Sequence, residues 1–232
     1  MDFTGRHIVI TGGTGALGAA VTGMMIEAGA HCRLPYRSAD EAERFPFRHH
    51  ERVALVAVSD LADETAVTGL YGGLPSLWAS IHLAGGFAAG PLADATKADF
   101  TAQIETNLTS CFLCCREAVR AMKKSGGGRI VNVAARPALE WRSGAGMAAY
   151  AASKAGVAAL TAALAEEVAK NGILVNAVAP SIMDTPANRK AMPKANFDAW
   201  PKTEEVAATI AFLASPENRV TRGGIVPVYG KS

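Results

Sequence analysis

The stretch "RHIVITGGTGALG", residues 6 to 18, runs from an apolar segment directly into four glycines and then into "AAVTGMMIEAGA", whose apolar spacing is helical. A short run of β-branched residues ending in glycines reads as a buried strand, a tight turn and a helix start. Glycines in that setting let the backbone approach a pyrophosphate, whose charge then faces the amide hydrogens of the helix N-terminus. Gly12, Gly15 and Gly18, with Leu17 between the last two, are the expected contact positions, and Thr14 offers a hydroxyl to phosphate. The turn predicts a dinucleotide site at the end of a first strand.

Six further strand-like runs follow: "AHCRLPY", "VALVAVS", "WASIHLAG", "GRIVNVA", "ILVNAVA" and "GIVPVY". The segments between them are long enough for helices, and continuous apolar runs mark strands covered on both faces. The expectation is an α/β, doubly wound domain spanning residues 1–232, with about seven parallel strands and helices on both faces. Gly29 should end the first helix, Asp60 should cap the third, and "KNG" at 170 to 172 should close a long helix containing Tyr150. Ligands of such sheets lie beyond the carboxyl ends of the strands, so motifs there carry the most weight.

Hydrophobic residues make up 50% of the 232 and charged residues 19%, with a net charge of +2, which argues against disorder and against a nucleic-acid partner. No apolar run suggests the roughly eighteen residues of a membrane span, and the start lacks a basic leader, so a cytoplasmic protein without a membrane partner is expected. Cys111 and Cys114 have the spacing of a metal pair, but no second pair follows. Together with Cys32 and Cys115 they read as small buried thiols, and His49 and His50 as solvated, so no metal is expected.

The second strand ends "LPYRS". Tyr36 stands where an acid would grip the ribose hydroxyls of NAD(H), and Arg37 follows it. Without an aspartate to repel a ribose phosphate, and with a guanidinium beside it, NADP(H) is favoured over NAD(H). Asp60, followed by Leu61 at the end of the third strand, is placed to meet the adenine.

The segment "MAAYAASK", residues 147 to 154, puts Tyr150 and Lys154 one turn apart on a helix face. Taken with "TGGTGALG", "LAGG" at 83 to 86, "TNLTS" at 106 to 110 and "NAVAPSIMDTP" at 176 to 186, it resembles the short-chain dehydrogenase/reductase family over nearly the whole chain. The resemblance implies a Rossmann-like fold and hydride transfer between a nicotinamide and a small carbonyl or imine substrate. Tyr150 is then the acid, and Lys154, by favouring phenolate, lowers the phenol's pKa from its usual value near 10. It also implies that Lys154 holds the nicotinamide ribose, that Asn107 helps hold a proton-relaying water, and that Pro180, Ile182 and Thr185 lie against the nicotinamide. A homotetramer or homodimer is implied on the same footing.

Several positions depart from the family pattern. His82 and Leu83 replace paired asparagines, leaving the backbone at Ala84 and Gly85 as the cofactor contact, and Ala16 stands where simple members have glycine. That glycine spacing resembles an extended branch, but the chain is too short for its additional domain. The family's active-site serine is also missing. Counting thirteen residues back from Tyr150 gives Pro137, and aligning on the strand end gives Ala134 or Ala135, none of which donates a hydrogen bond from its side chain. Losing one oxyanion donor typically costs about 3 kcal/mol. Three alternatives are open: Arg136, Ser143 or a water takes the serine's place, the substrate does not need it, or the protein is a cofactor-binding regulator without turnover. The segments around Trp141 and "DTPANRKAMPKANFDAW" at 184 to 200 resemble quinonoid dihydropteridine reductase, a branch that lacks the serine and reduces a pterin-like substrate. Residues 180–200 read as a substrate-covering loop, with Trp141, Met183, Met192, Phe197 and Trp200 as pocket walls and Arg189, Lys190 and Lys194 as charges for an anionic substrate.

Overall fold

In the computed structural model, which describes residues 1–232, β1 (His7–Thr11) lies inside a sheet of order β3-β2-β1-β4-β5-β6-β7. Its neighbours are β2 (His31–Tyr36) and β4 (Ala79–His82), and all pairings in the sheet are parallel. The remaining strands are β3 (Val53–Ala57), β5 (Gly128–Val133), β6 (Ile173–Pro180) and β7 (Ile225–Val228). Six fall within the expected runs, and β6 extends one residue past its run, to Pro180. Chain order reverses between β1 and β4, where Thr11 sits opposite His82. The segments leaving these two strands diverge and open a crevice there.

Alternation along β1 divides the core. Ile8 and Ile10 pack on one side of the sheet with Val21, Met25 and Ile26 of α1 (Ala16–Glu27) and Ile210 and Leu213 of α8 (Thr203–Ala214). Val9 points to the other side, toward Val67 and Leu70 of α3 (Glu64–Tyr71), Met122 of α5 (Ser110–Ser125) and Val157 of α6 (Ala148–Glu167). A strand buried on both faces reads as an apolar run, which is why Ile8, Val9 and Ile10 at the centre of "HIVIT" show no polar alternation.

Helix ends correct two expectations. Asp60 does not cap α3; its Oδ1 accepts from the Ala62 amide at 2.8 Å, while Asp63 caps the helix by accepting from Ala66 N at 2.7 Å. The long helix ends at Glu167, and a 3-10 turn, Ala169–Asn171, carries the chain to Gly172, whose φ of 70° completes the stop. An 18-residue window of the 20-residue α6 has mean hydropathy 1.3, the length and composition of a membrane span, although Lys154 interrupts it. Its apolarity is mostly alanine, and it packs against β5, β6 and α4 (Lys97–Ile104).

The cap assignment is testable by thermal unfolding. Asp63→Ala should cost about 1 kcal/mol and lower Tm by roughly 2–4 °C, whereas Asp60→Ala, which leaves the cap intact, should change it by less. Equal losses in the two variants would refute the assignment.

Candidate active site

The glycine turn is held by close backbone contact. Gly12 has φ of 66°, and a Cβ there would lie 2.6 Å from Ala84 N, so the first turn presses against the chain leaving β4. At Gly18 a Cβ would come within 2.1 Å of the Gly12 carbonyl oxygen, which excludes any larger residue from the first turn of α1. Gly15 is the N-cap of α1 and brings no side chain of its own. Leu17 packs into the core, so only its backbone is free to face a ligand.

A cleft of about 580 Å³ opens above this turn, bordered by Gly12, Gly15, Arg37, Asp60, Leu61, Ala84 and Gly85. Seven of the expected cofactor positions therefore share one cavity. Its glycine-lined wall is a cradle that side chains would fill, and the residues present fit a dinucleotide. Sequence reading missed Glu41, Thr106 and Ser110, which line the same cleft. Glu41 lies on α2 (Ala39–Arg44), and only the folding of that helix against the turn brings it there, so no spacing signal marks it. Thr14 does not have a free hydroxyl: it donates to a carboxylate oxygen of Glu41.

At the far end of the cleft three elements converge. Lys154 is buried, and its Nζ donates to the Val133 carbonyl at the end of β5 at 2.9 Å. Asn107 is buried on a π-helical segment, Glu105–Thr109, that joins α4 to α5 and re-aims its side chain inward. The Asn107 Oδ1 accepts from Gly86 N at 2.9 Å, and its Nδ2 donates to Gly86 O at 3.0 Å. A Cβ on Gly85 would lie 2.7 Å from Asn107 Oδ1 and 3.2 Å from Lys154 Nζ, so the backbone after β4, the amide and the ammonium meet at one point. The amide of Asn107 is thus engaged with Gly86, which sequence reading did not foresee.

Tyr150 lies in the first turn of α6, its ring edge-on to Phe87 with centroids 5.0 Å apart. Burial pushes its phenol up to about 12. This corrects the expectation that the ammonium lowers it: burial alone accounts for the shift, and Lys154 Nζ is bonded to the Val133 carbonyl rather than to the phenol. Burial in turn pulls Lys154 down to about 8, partly opposed by the negative charge of the Cys111 thiolate. Beneath it His82, standing in an asparagine's place, bonds Asn132 of β5 at 2.7 Å and Ser80 at 2.8 Å. Cys111 and Cys115 come within 4.8 Å of His82, a grouping that the Cys111–Cys114 spacing did not suggest. Cys115 makes its own hydrogen bond to Asn132 at 3.5 Å. All four cysteines are buried and free.

The expected substrate residues are more scattered. Ala134 and Ala135 are buried, and neither proposed replacement for the serine is free. Ser143 donates to Glu140 O at 2.7 Å, and Arg136 pairs with the Glu140 carboxylate at 2.7 Å while lying over the Tyr229 ring. Trp141 is 78% exposed and so walls no closed pocket. Trp200 is buried against Phe197, and Met183 packs on the core. The loop at 180–200 contains a short helix, α7 (Pro186–Ala191), capped by the Thr185 hydroxyl, which leaves Ile182 as the exposed apolar position beside it. Pro180 ends β6. Arg189 is paired with Asp184 through two hydrogen bonds, so its charge is locally satisfied, unlike those of exposed Lys190 and Lys194. A separate cavity of about 270 Å³ lies between residues 88–95 and Met147, Ala148 and Ala149, directly before Tyr150 in the chain.

Residues 6–196 match the family profile described as short chain dehydrogenase. The chain is 36% identical to a cis-4-hydroxycyclohexanecarboxylate dehydrogenase of Sinomonas cyclohexanicum, covering 98% of this chain and 96% of that protein. A galactitol 2-dehydrogenase of Rhizobium johnstonii is 33% identical, with 97% and 93% covered. Among solved structures, ElxO with NADP bound superposes with a TM-score of 0.88 at 26% identity, covering 97% of each chain.

Burial of Lys154 has a measurable signature. Its folded value of about 8 lies below the ordinary 10.5, so between those pH values the unfolded chain holds a proton that the folded chain has released. Stability should therefore rise as pH increases from about 8 to 10, by an amount on the order of 3 kcal/mol at most. Urea unfolding of wild type and Lys154→Met across that range should show this increment only in wild type. Parallel curves would contradict the assignment.

Proposed function

The chain belongs to the short-chain dehydrogenase/reductase family, NAD(P)-dependent oxidoreductases, and on that premise we propose that it reduces a small carbonyl or imine substrate with NADP(H), Tyr150 serving as general acid. One observation carries the reading. The Lys154 ammonium meets Asn107 and Gly85 at the glycine-lined cleft, and Tyr150 stands one turn before it on α6.

The nicotinamide cofactor, when bound, supplies the hydride. As charge develops on the substrate oxygen or nitrogen, the Tyr150 hydroxyl donates its proton to that atom. A phenol at about 12 is a reluctant donor, and on this reading Lys154 acts only on the charge that develops during transfer, not on the resting phenol. Asn107 keeps the chain after β4 in place through Gly86, which holds Gly85 against the lysine. With Ala134 and Ala135 at the end of β5, no side chain there supplies a second donor, and the developing anion depends on Tyr150. This favours substrates that tolerate a single donor, a pterin-like quinonoid ring among them.

NADP(H) is favoured by Arg37 and by Tyr36 in the acid's place, and the relative ElxO has been solved with NADP bound. Residues 180–200 serve as the substrate-covering segment, tethered by the Asp184 amide to Pro201 O at 2.9 Å. Assembly into a homotetramer or homodimer is supported by the exposed alanine surface of α6 and by Phe112 on α5. A second reading, a cofactor-binding regulator without turnover, draws support from the same raised phenol and missing serine.

A panel of ketones, imines and quinonoid dihydropterins with NADPH and NADH separates the two readings. Wild type should consume cofactor with at least one substrate, and Tyr150→Phe should lose about 10²–10⁴-fold in kcat while still binding NADPH. No consumption by wild type across the panel would favour the regulator.

A further inference from the structure

The Glu41 carboxylate lies in the nucleotide cleft with both oxygens occupied. One accepts from the hydroxyl of Thr14 on the glycine turn, and the other accepts from the Arg37 amide at 2.9 Å. It is half-buried and borders the same cavity as Gly15, Arg37 and Asp60. The Arg37 guanidinium makes no ion pair or hydrogen bond with any side chain, although the acid is four residues away. Glu41 thus occupies two donors at the place where Arg37 opens onto the cleft.

A helix-capping duty accounts for only part of this. Ser38 caps α2 by accepting from the Glu41 amide at 3.3 Å, and a glutamate three residues after the cap often reaches back to the backbone, as Oε2 does to Arg37. Capping gives no reason for the other oxygen to hold Thr14, which is 27 residues earlier on a different element. A hydroxyl and a backbone N–H already on one anion, with an unpaired guanidinium bordering the same cleft, are the donor set a phosphate monoester uses.

We propose that the Glu41 carboxylate is an internal stand-in for the 2′-phosphate of NADP(H), so that this phosphate gains its donors only by displacing a like charge. The inference rests on the reading of Arg37 as the ribose-phosphate residue and deepens it. A dinucleotide lacking the phosphate leaves the Glu41 bonds intact and meets no such competition. Glu41 therefore narrows the margin between NADP(H) and NAD(H), and removing its charge widens it.

Calorimetric binding of adenosine 2′,5′-bisphosphate and adenosine 5′-monophosphate tests this without turnover. Wild type, Glu41→Gln and Glu41→Ala are compared at one ionic strength, with thermal unfolding to verify folding; glutamine keeps a backbone acceptor and loses only the charge. The bisphosphate Kd should fall about tenfold in both variants while the monophosphate Kd moves less than about twofold. If wild type and Glu41→Gln prefer the bisphosphate to the same degree, Glu41 is no competitor and the inference fails while the reading of Arg37 stands. If the bisphosphate binds no better than the monophosphate to any of the three proteins, both fail.

Discussion

The contact between the glycine turn and the start of the chain after β4 governs this molecule. Gly12 and Ala84 approach so closely that no side chain fits between them, and the approach occurs where the sheet reverses its chain order. Two consequences come from one steric fact. The backbone amides at the start of α1 remain uncovered beside an open crevice, and the segment carrying Gly85 and Gly86 is directed along its floor toward Asn107 and Lys154. A larger residue at Gly12 or Gly18 would have to push these elements apart.

Around that contact the fold sustains electrostatic cost. A lysine ammonium is buried against a single carbonyl, and a phenol is shielded enough that its proton is held more tightly than in water. Buried charge is unfavourable for folding, and local strain of this sort is characteristic of functional centres. The polar layer beneath it, His82 with Asn132, Ser80 and Cys115, is fully bonded. That satisfaction lets a histidine replace an asparagine in the middle of the sheet without leaving an unpaired group.

The loops differ in how far they depend on this centre. Residues 180–200 are organised by their own bonds: Thr185 caps α7, Arg189 holds Asp184, and Trp200 packs on Phe197. Their side chains are mostly committed to shaping the segment, which leaves Ile182, Lys190 and Lys194 among those open to solvent. Proteins named for a cyclic hydroxy acid and for a sugar alcohol both match nearly the whole chain. One scaffold can carry several chemistries.

By itself the sequence determined the seven strands, their parallel order of burial, the glycine turn and the tyrosine–lysine spacing, because each depends on residues near one another in the chain. Periodicity and turn chemistry are local, so they are readable without coordinates. Tertiary structure alone decided where Thr14, Ser143 and Arg136 spend their hydrogen bonds, that Asp63 rather than Asp60 caps α3, and that the phenol is raised. It also decided that Glu41 enters the cleft. These outcomes depend on which partner reaches a polar group first, and on how much water folding removes around it; both are properties of residues far apart in sequence and close only in space.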